Sequence, residues 1–352
     1  MAENLNESDS GICSVFDTSP YVIVAAVSSG SAMVSALCCV FVIGLIFLFK
    51  KHYFFTQRLI IYHCLAALLR SFSTILRLHR LGYRTETSAL ELTCILSAFT
   101  NQVTLLVLIV DYSVITFTLL MAAVFQKNVA RLEGLFIVLI FIFPLTFNWI
   151  PFINDTYGRF GPWCWIRSVN YSDCSEHRFG VILQYIMWRV PFVVIMVILI
   201  PMYLVTIAYV AKRKCSRTEK NVINNRETER LKKNLRNEVW WPLLFLPWGV
   251  LFLNFFALVR AFYDSVNPNN PSYTIWLLNA IFSPLQGGYI ALVYVLDRYT
   301  LKRITFSNIK ATLSRRKTVT EYPMENVWMS DSVVTSEYTP RTHYKPYGDN
   351  TG

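Results

Sequence analysis

Apolar residues along this chain fall in seven long blocks separated by polar, charge-bearing stretches. The blocks run from Tyr21 to Phe49, Arg58 to Leu78, Leu90 to Phe125, Leu132 to Phe152, Phe179 to Ala211, Val239 to Phe262 and Tyr273 to Leu296. At about 1.5 Å of rise per residue, about 20 apolar residues carry a helix across the roughly 30 Å hydrocarbon core of a bilayer. The pattern therefore predicts an all-α membrane protein built as a seven-transmembrane helix bundle. The stretch from Lys212 to Glu238, rich in Arg, Lys, Glu and Asn, is expected to prolong the helices on either side of it. The organisation read from the chain is a short outer segment at 1–20 and a helix bundle at 21–296. A basic amphipathic helix follows at 297–310, then a polar tail at 311–352, rich in Ser, Thr, Tyr and Pro and read as disordered. No internal repeat of transporter type stands out.

Composition agrees with lipid as the solvent. Of 352 residues, 54% are hydrophobic and 16% charged, and mean hydropathy is +0.40, whereas soluble domains carry roughly a quarter charged residues. The formal net charge of +11 would suit a nucleic-acid partner if it were spread over one face, but it is confined to particular loops. With the N-terminus outside, 24 of the 33 Lys and Arg fall in cytoplasmic segments, seven in outer ones, and Arg70 and Arg189 within spans. That bias orients the chain with its C-terminus in the cytoplasm. The triplets Asn6-Glu7-Ser8, Asn154-Asp155-Thr156 and Asn170-Tyr171-Ser172 all lie on the side assigned as outer, so Asn6, Asn154 and Asn170 are candidate glycosylation sites. The first 20 residues hold four acids and no Lys or Arg, so no secretory signal is read there, and neither end shows a lipidation motif.

Cysteines divide by compartment. Cys13, Cys94, Cys164 and Cys174 face the oxidising side, and Cys94, near the outer end of span three, is placed to bond Cys164 in the second outer loop. Cys13 with Cys174 is a possible second bond, the other reading being a mobile N-terminal segment. Arg70, Asp111 and Arg189 are the ionised groups deep in spans, where an unpaired charge costs at least about 3 kcal/mol. Counted from the inner helix ends, Arg70 and Asp111 lie at matching depth, about 20 Å up. Either they pair, or each meets water or backbone separately. Arg189, about 15 Å below the outer surface, is either an anchor for an anionic or polar ligand group or internally paired. His63 reads as a hydrogen-bonded interior residue rather than a metal ligand, since no second ligand stands at i+3 or i+4. Proline inside a span removes a helix hydrogen bond and favours a kink. Pro247-Trp248-Gly249 in span six is thus a candidate pivot, a static kink being the other reading. Arg226, Arg230 and Lys233 share one helical face, either a docking surface for an acidic partner or a solvated face.

Four segments carry a family likeness. Tyr157-Gly158-Arg159-Phe160-Gly161-Pro162-Trp163-Cys164-Trp165-Ile166 resembles the second outer loop of the cyclic-AMP-receptor-like family of G-protein-coupled receptors, related to the secretin-like class. Cys64-Leu65-Ala66-Ala67-Leu68-Leu69 is similar to its span-two motif, with Ala67 where an acid is usual. Pro284-Leu285-Gln286-Gly287-Gly288 with Ala291-Leu292-Val293-Tyr294 looks like its span-seven motif, and Trp241-Pro242-Leu243 like the start of its span six. The resemblance implies a plasma-membrane receptor that binds an extracellular ligand in its outer cavity and activates a heterotrimeric G protein. It also implies the Cys94–Cys164 bond. Together with the helix-breaking prolines and the basic face, the motifs mark Pro247, Trp248, Pro284, Gln286 and Gly287 as switch candidates and Arg226, Arg230 and Lys233 as candidate G-protein contacts. The inner end of span three, Met121 to Gln126, departs from the receptor pattern in lacking an acid-Arg pair.

Other function classes fit less well. A transporter or channel would line its path with Arg70, Asp111 and Arg189, but the odd span count and sparse charges speak against it. Span seven holds no Lys for a retinal Schiff base. No cofactor motif, metal-spaced cluster or catalytic constellation appears in the spans, so no enzyme is read here. Only about 20 residues precede span one, which leaves no room for an outer adhesion domain.

Overall fold

The computed structural model describes residues 19–49, 51–76, 88–125, 127, 129–160, 163–168, 175, 177–220, 226–267 and 271–296, with backbone alone for 213–244 and a few further positions. Span one is Ser19–Leu48, span two Phe55–Leu76 and span three Ser88–Ala123. Span four is segmented between Ala130 and Phe152, and span five begins at Arg178 and runs through Val190–Lys220. Span six belongs to the helix Arg226–Val266, and span seven is the pair Tyr273–Phe282 and Gln286–Leu296, bent by 49°. Six helices are long and apolar enough to cross a membrane singly, and the bent pair makes the seventh. The polar stretch between spans five and six is helical up to Lys220 and again from Arg226, as its composition suggested.

Span three is the central post. In its most apolar window 67% of residues are buried, against 28% in spans four and five, whose outward faces are left for lipid. Lipid tails are as apolar as leucine, so the bundle is held by close packing and interhelical hydrogen bonds rather than by water exclusion. Ser29 Oγ donates to the Thr74 carbonyl at 3.3 Å and Ser97 Oγ to the Ser73 carbonyl at 2.9 Å, tying spans one and three to span two. Bonds of this kind contribute about 0.6 kcal/mol each in membrane bundles. Hydroxyls without such a partner turn onto their own helix, as Ser113 does to the Ile109 carbonyl and Thr116 to the Tyr112 carbonyl.

Three irregular turns have proline as their cause. A wide π turn occupies Val138–Ile142 just ahead of Pro144, and another Tyr185–Arg189 just ahead of Pro191. Proline lacks the N–H its turn needs and its ring presses on the preceding turn, and widening that turn relieves the clash. In span seven the helix breaks at Ser283, Pro284 and Leu285, so Pro284 is the bend itself.

Between spans four and five two short strands, β1 (Tyr157–Phe160) and β2 (Trp163–Ile166), pair antiparallel with Phe160 opposite Trp163 and Arg159 opposite Cys164. The hydropathy pattern alone predicts only a loop there. The signal was two aromatic tetrapeptides separated by two residues, Gly161-Pro162. The hairpin marks one end of the bundle, where spans one, three, five and seven begin.

Candidate functional site

The hairpin is fastened to the bundle by three kinds of bond. Cys164 forms a disulfide with Cys94 of span three, Cα to Cα 5.4 Å, as both the compartment and the family resemblance led us to expect. Trp165 donates its indole N–H to Gln102 Oε1 of span three at 2.5 Å, and Gln184 of span five donates to the Ile166 carbonyl at 2.9 Å. Phe160 and Trp163 stack on Trp276 of span seven, with ring centroids 5.9 and 4.8 Å away. Burial of Tyr157 in the first strand pushes its phenol well above the usual range, so its hydroxyl stays neutral and donates to the Asn148 carbonyl at 3.0 Å.

Beneath the hairpin lies a cleft with about 620 Å³ of space between atoms, part of it open toward solvent. Every span except span four contributes to its wall, and Trp163 and Trp165 of the hairpin form the roof. Among the described residues the charged side chains in that wall are Arg70 of span two and Arg260 of span six, and no Asp or Glu lines it. One Arg70 nitrogen, Nη2, donates to Ser283 Oγ at 2.8 Å, at the break in span seven. Arg260 is 6% exposed, and its guanidinium lies 4.6 Å from the Trp276 ring, 5.3 Å from Trp163 and 5.4 Å from Phe160. Such faces stabilise a cation while leaving its N–H groups free.

Two alternatives left open by the sequence are decided by side-chain contacts, in both cases against the functional reading. Arg70 and Asp111 do not pair: Asp111 Oδ2 is 2.8 Å from His63 Nδ1, both side chains fully buried, and the His63 ring packs edge-on against Tyr112 at 4.3 Å. With Asp111 ionised, its carboxylate accepts and His63 Nδ1 donates. Their depths differ because span two starts at Phe55, three residues before its apolar block, and span three ends at Ala123, two residues short of its block. Arg70 therefore stands about 4 Å higher than Asp111, and the bent span seven offers it Ser283. Nor does Arg189 line the cleft. It donates to Ser265 Oγ of span six at 2.7 Å and to Gln184 Oε1 at 3.5 Å, and lies over the Tyr185 ring at 4.2 Å. The π turn ending at Arg189 shifts the register of its face, so the side chain meets span six instead of the cavity.

Arg260 is not evident from the sequence as a cleft residue, because the apolar block of span six ends at Phe262; the helix continues to Val266, which brings Arg260 within the bundle. Nor is the contact at the opposite end evident, where Arg58 of span two grips Glu133 of span four through Nε at 2.6 Å and Nη2 at 2.5 Å, with Tyr62 donating to the same carboxylate at 3.0 Å. Glu and Arg at the two apolar block edges were the available signal.

Of the switch candidates, Pro247 is buried and Trp248 half exposed, packing edge-on against Tyr203 of span five at 6.0 Å. Gly287 donates its backbone N–H to Ser35 Oγ of span one at 2.9 Å, and Gln286 is buried beside it. Asn154 is exposed in the turn before β1. Arg226, Arg230 and Lys233 lie in the first turns of the helix that becomes span six, with their side chains outside what is described. Asn6, Asn170, Cys13, Cys174, the proposed helix 297–310 and the tail 311–352 also lie outside the described residues.

No protein-family model and no curated protein matches the chain by sequence. Among solved structures, squid rhodopsin is similar in fold, with a TM-score of 0.56 at 13% identity over 89% of this chain and 93% of that one. The chain is a mostly helical membrane protein with a seven-helix bundle similar in fold to that of squid rhodopsin.

Proposed function

We propose that this protein is a plasma-membrane receptor that takes an extracellular ligand in the cleft beneath the hairpin and activates a heterotrimeric G protein at the opposite end. The observation that carries this reading is the cleft itself, walled by six spans of a receptor-type bundle and roofed by a disulfide-pinned hairpin. The Lys and Arg bias puts the hairpin end outside, which agrees with a disulfide and the Asn154 triplet at that end. Asn6, Asn154 and Asn170 are the proposed glycosylation sites, and Cys13 with Cys174 the proposed second disulfide. The quoted motifs favour the cyclic-AMP-receptor-like family. Span seven contains no Lys, which argues against a retinal-based light receptor. Pro247, Trp248, Pro284, Gln286 and Gly287 are assigned to the switch, and Arg226, Arg230 and Lys233 to the G-protein contact.

The test needs no agonist. Full-length protein expressed in cells should raise ligand-independent activation of at least one member of a panel of G proteins above that of untransfected cells. Surface-expressed protein that activates none of the panel, yet carries a solute across the membrane, would replace this reading with the transporter one.

A further inference from the structure

The walls of the cleft carry an imbalance. Arg70 Nη1, Arg260 Nε and Nη1, and Trp188 Nε1 are buried donors with no acceptor among the described residues, and all three side chains line the same cavity. The remaining polar wall is neutral: Ser28, Thr74, Asn101, Asn254, Asn279 and Ser283. Two buried acids of the neighbouring spans have partners of their own, and Asp264 also interacts electrostatically with Arg260. Asp111 belongs to His63, and Asp264, one turn beyond Arg260, accepts from the Trp276 indole N–H at 3.3 Å and does not line the cleft. Arg70 stands six residues before Leu76, the last described residue of its helix, and Arg260 six before Val266, so each lies about 9 Å from that point, and both line the cavity.

We infer that the cleft binds a small organic oxyanion, a carboxylate or phosphate group seated between Arg70 and Arg260 with its carbon frame against Trp163, Trp165 and Trp188. The guanidinium fork matches an oxyanion's paired lone pairs, and charge-assisted bonds of this type are the strong ones. Arg260 feels the Asp264 carboxylate one turn on, whereas Arg70 has no acidic neighbour among the described residues; a charge held at this depth without a counter-charge is costly, and such costs collect at functional sites. Aromatic packing accounts for Arg260 as a strut under the hairpin. It does not account for Arg70, a cation with a free buried donor and no acidic partner among the described residues, in the same wall. This inference takes from the proposed function only the location of the ligand site, and binding is measured without a G protein.

The experiment is thermal unfolding of the purified full-length protein in lipid nanodiscs at constant ionic strength. The probes are inorganic phosphate, indole-3-acetate and its neutral counterpart indole-3-acetamide. Phosphate or indole-3-acetate should raise the unfolding temperature in a saturable way, with the amide at least tenfold weaker. Phosphate acting alone would assign the site to phosphates, and the indole acid acting alone to carboxylates. Arg70→Gln and Arg260→Gln should each weaken the anion at least tenfold, while Arg70→Lys and Arg260→Lys, which keep the charge, lose less. In the absence of probe Arg70→Gln should unfold no earlier than the parent, because it removes an unpaired buried charge, whereas a purely structural arginine would lower the transition. If neither anion exceeds the amide, or if the Gln variants respond as the parent does, the site is not an oxyanion site. Anion binding with no G-protein activation would sink the receptor reading and leave this site standing; activation without anion binding would do the reverse.

Discussion

At the residue scale the His63–Asp111 pair is the most consequential polar contact inside the bundle. Both side chains are fully buried, and Asp111 Oδ1 and His63 Nε2 have no other partner among the described residues. Removing one member of a buried pair costs about 3 to 5 kcal/mol, because the other is left unsatisfied. We predict that His63→Ala and Asp111→Asn each lower surface expression and the unfolding temperature, and that the double variant recovers part of the loss. Arg70→Gln with Asp111→Asn should instead be additive within about 0.5 kcal/mol. Coupling between Arg70 and Asp111, and none with His63, would contradict the contact described. The sequence made Asp111 visible as a costly buried charge, but not its partner, because a histidine, neutral at pH 7 by formal count, does not advertise itself as a counter-charge. Arg260 was hidden by a four-residue error in a helix end. Boundaries are the part of a span that hydropathy specifies least, since flanking polar residues belong to helix and loop alike.

At the element scale, span seven shows what proline and glycine do together. Pro284 bends it by 49°, and the following turn presses against span one so closely that a Cβ on Gly287 would meet Cys39 Sγ at 2.3 Å and the Ser35 carbonyl at 2.4 Å. Small residues let backbones approach in lipid, where packing is the main attraction. We predict that Gly287→Ala destabilises by about 1 to 3 kcal/mol, the usual cost of overpacking a close contact. Cys39→Ala should recover only part of it, because the Ser35 carbonyl still blocks the methyl group. Full recovery, measured by unfolding in detergent, would show that only the sulfur is in the way. The seven blocks themselves were plain in the sequence because hydropathy over 20 residues is a strong signal. The β1–β2 hairpin was not, since two four-residue strands give too little alternation to separate them from a loop. Pro144 and Pro191 announced irregular helices, but whether the chain kinks or widens into a π turn depends on neighbours that the sequence does not arrange in space.

At the scale of the whole molecule the question is what holds the bundle in one form and what would release it. Here the seven-helix fold was legible, whereas the cleft was not, because it is made by six spans meeting under a hairpin. Spans six and seven meet at a second close approach: Tyr289 donates to the Phe245 carbonyl at 2.5 Å, and a Cβ on Gly249 would meet the Tyr289 ring at 2.2 Å. Phe245 lies two residues before Pro247 in the same helix, so this contact sits beside the proposed pivot. A ligand shifts such an equilibrium only through its different affinities for the two forms. A protein contact made in one form alone biases it by the same rule. If Tyr289 clasps span six in the resting form, deleting the hydrogen bond removes about 1 kcal/mol from that form. Ligand-independent activation should then rise about fivefold, the ratio that this energy corresponds to. We predict that Tyr289→Phe does this at unchanged surface expression. Neutralising Arg226, Arg230 and Lys233 in the same background should bring activation back down by weakening the G-protein contact rather than by restoring the clasp. The two effects separate experimentally: a conformational probe on span six should report the Tyr289→Phe change in both backgrounds, while G-protein activation falls only with the triple variant. Unchanged basal activity in Tyr289→Phe would show that the clasp persists in both forms, and the pivot would then have to be sought at the Pro284 bend.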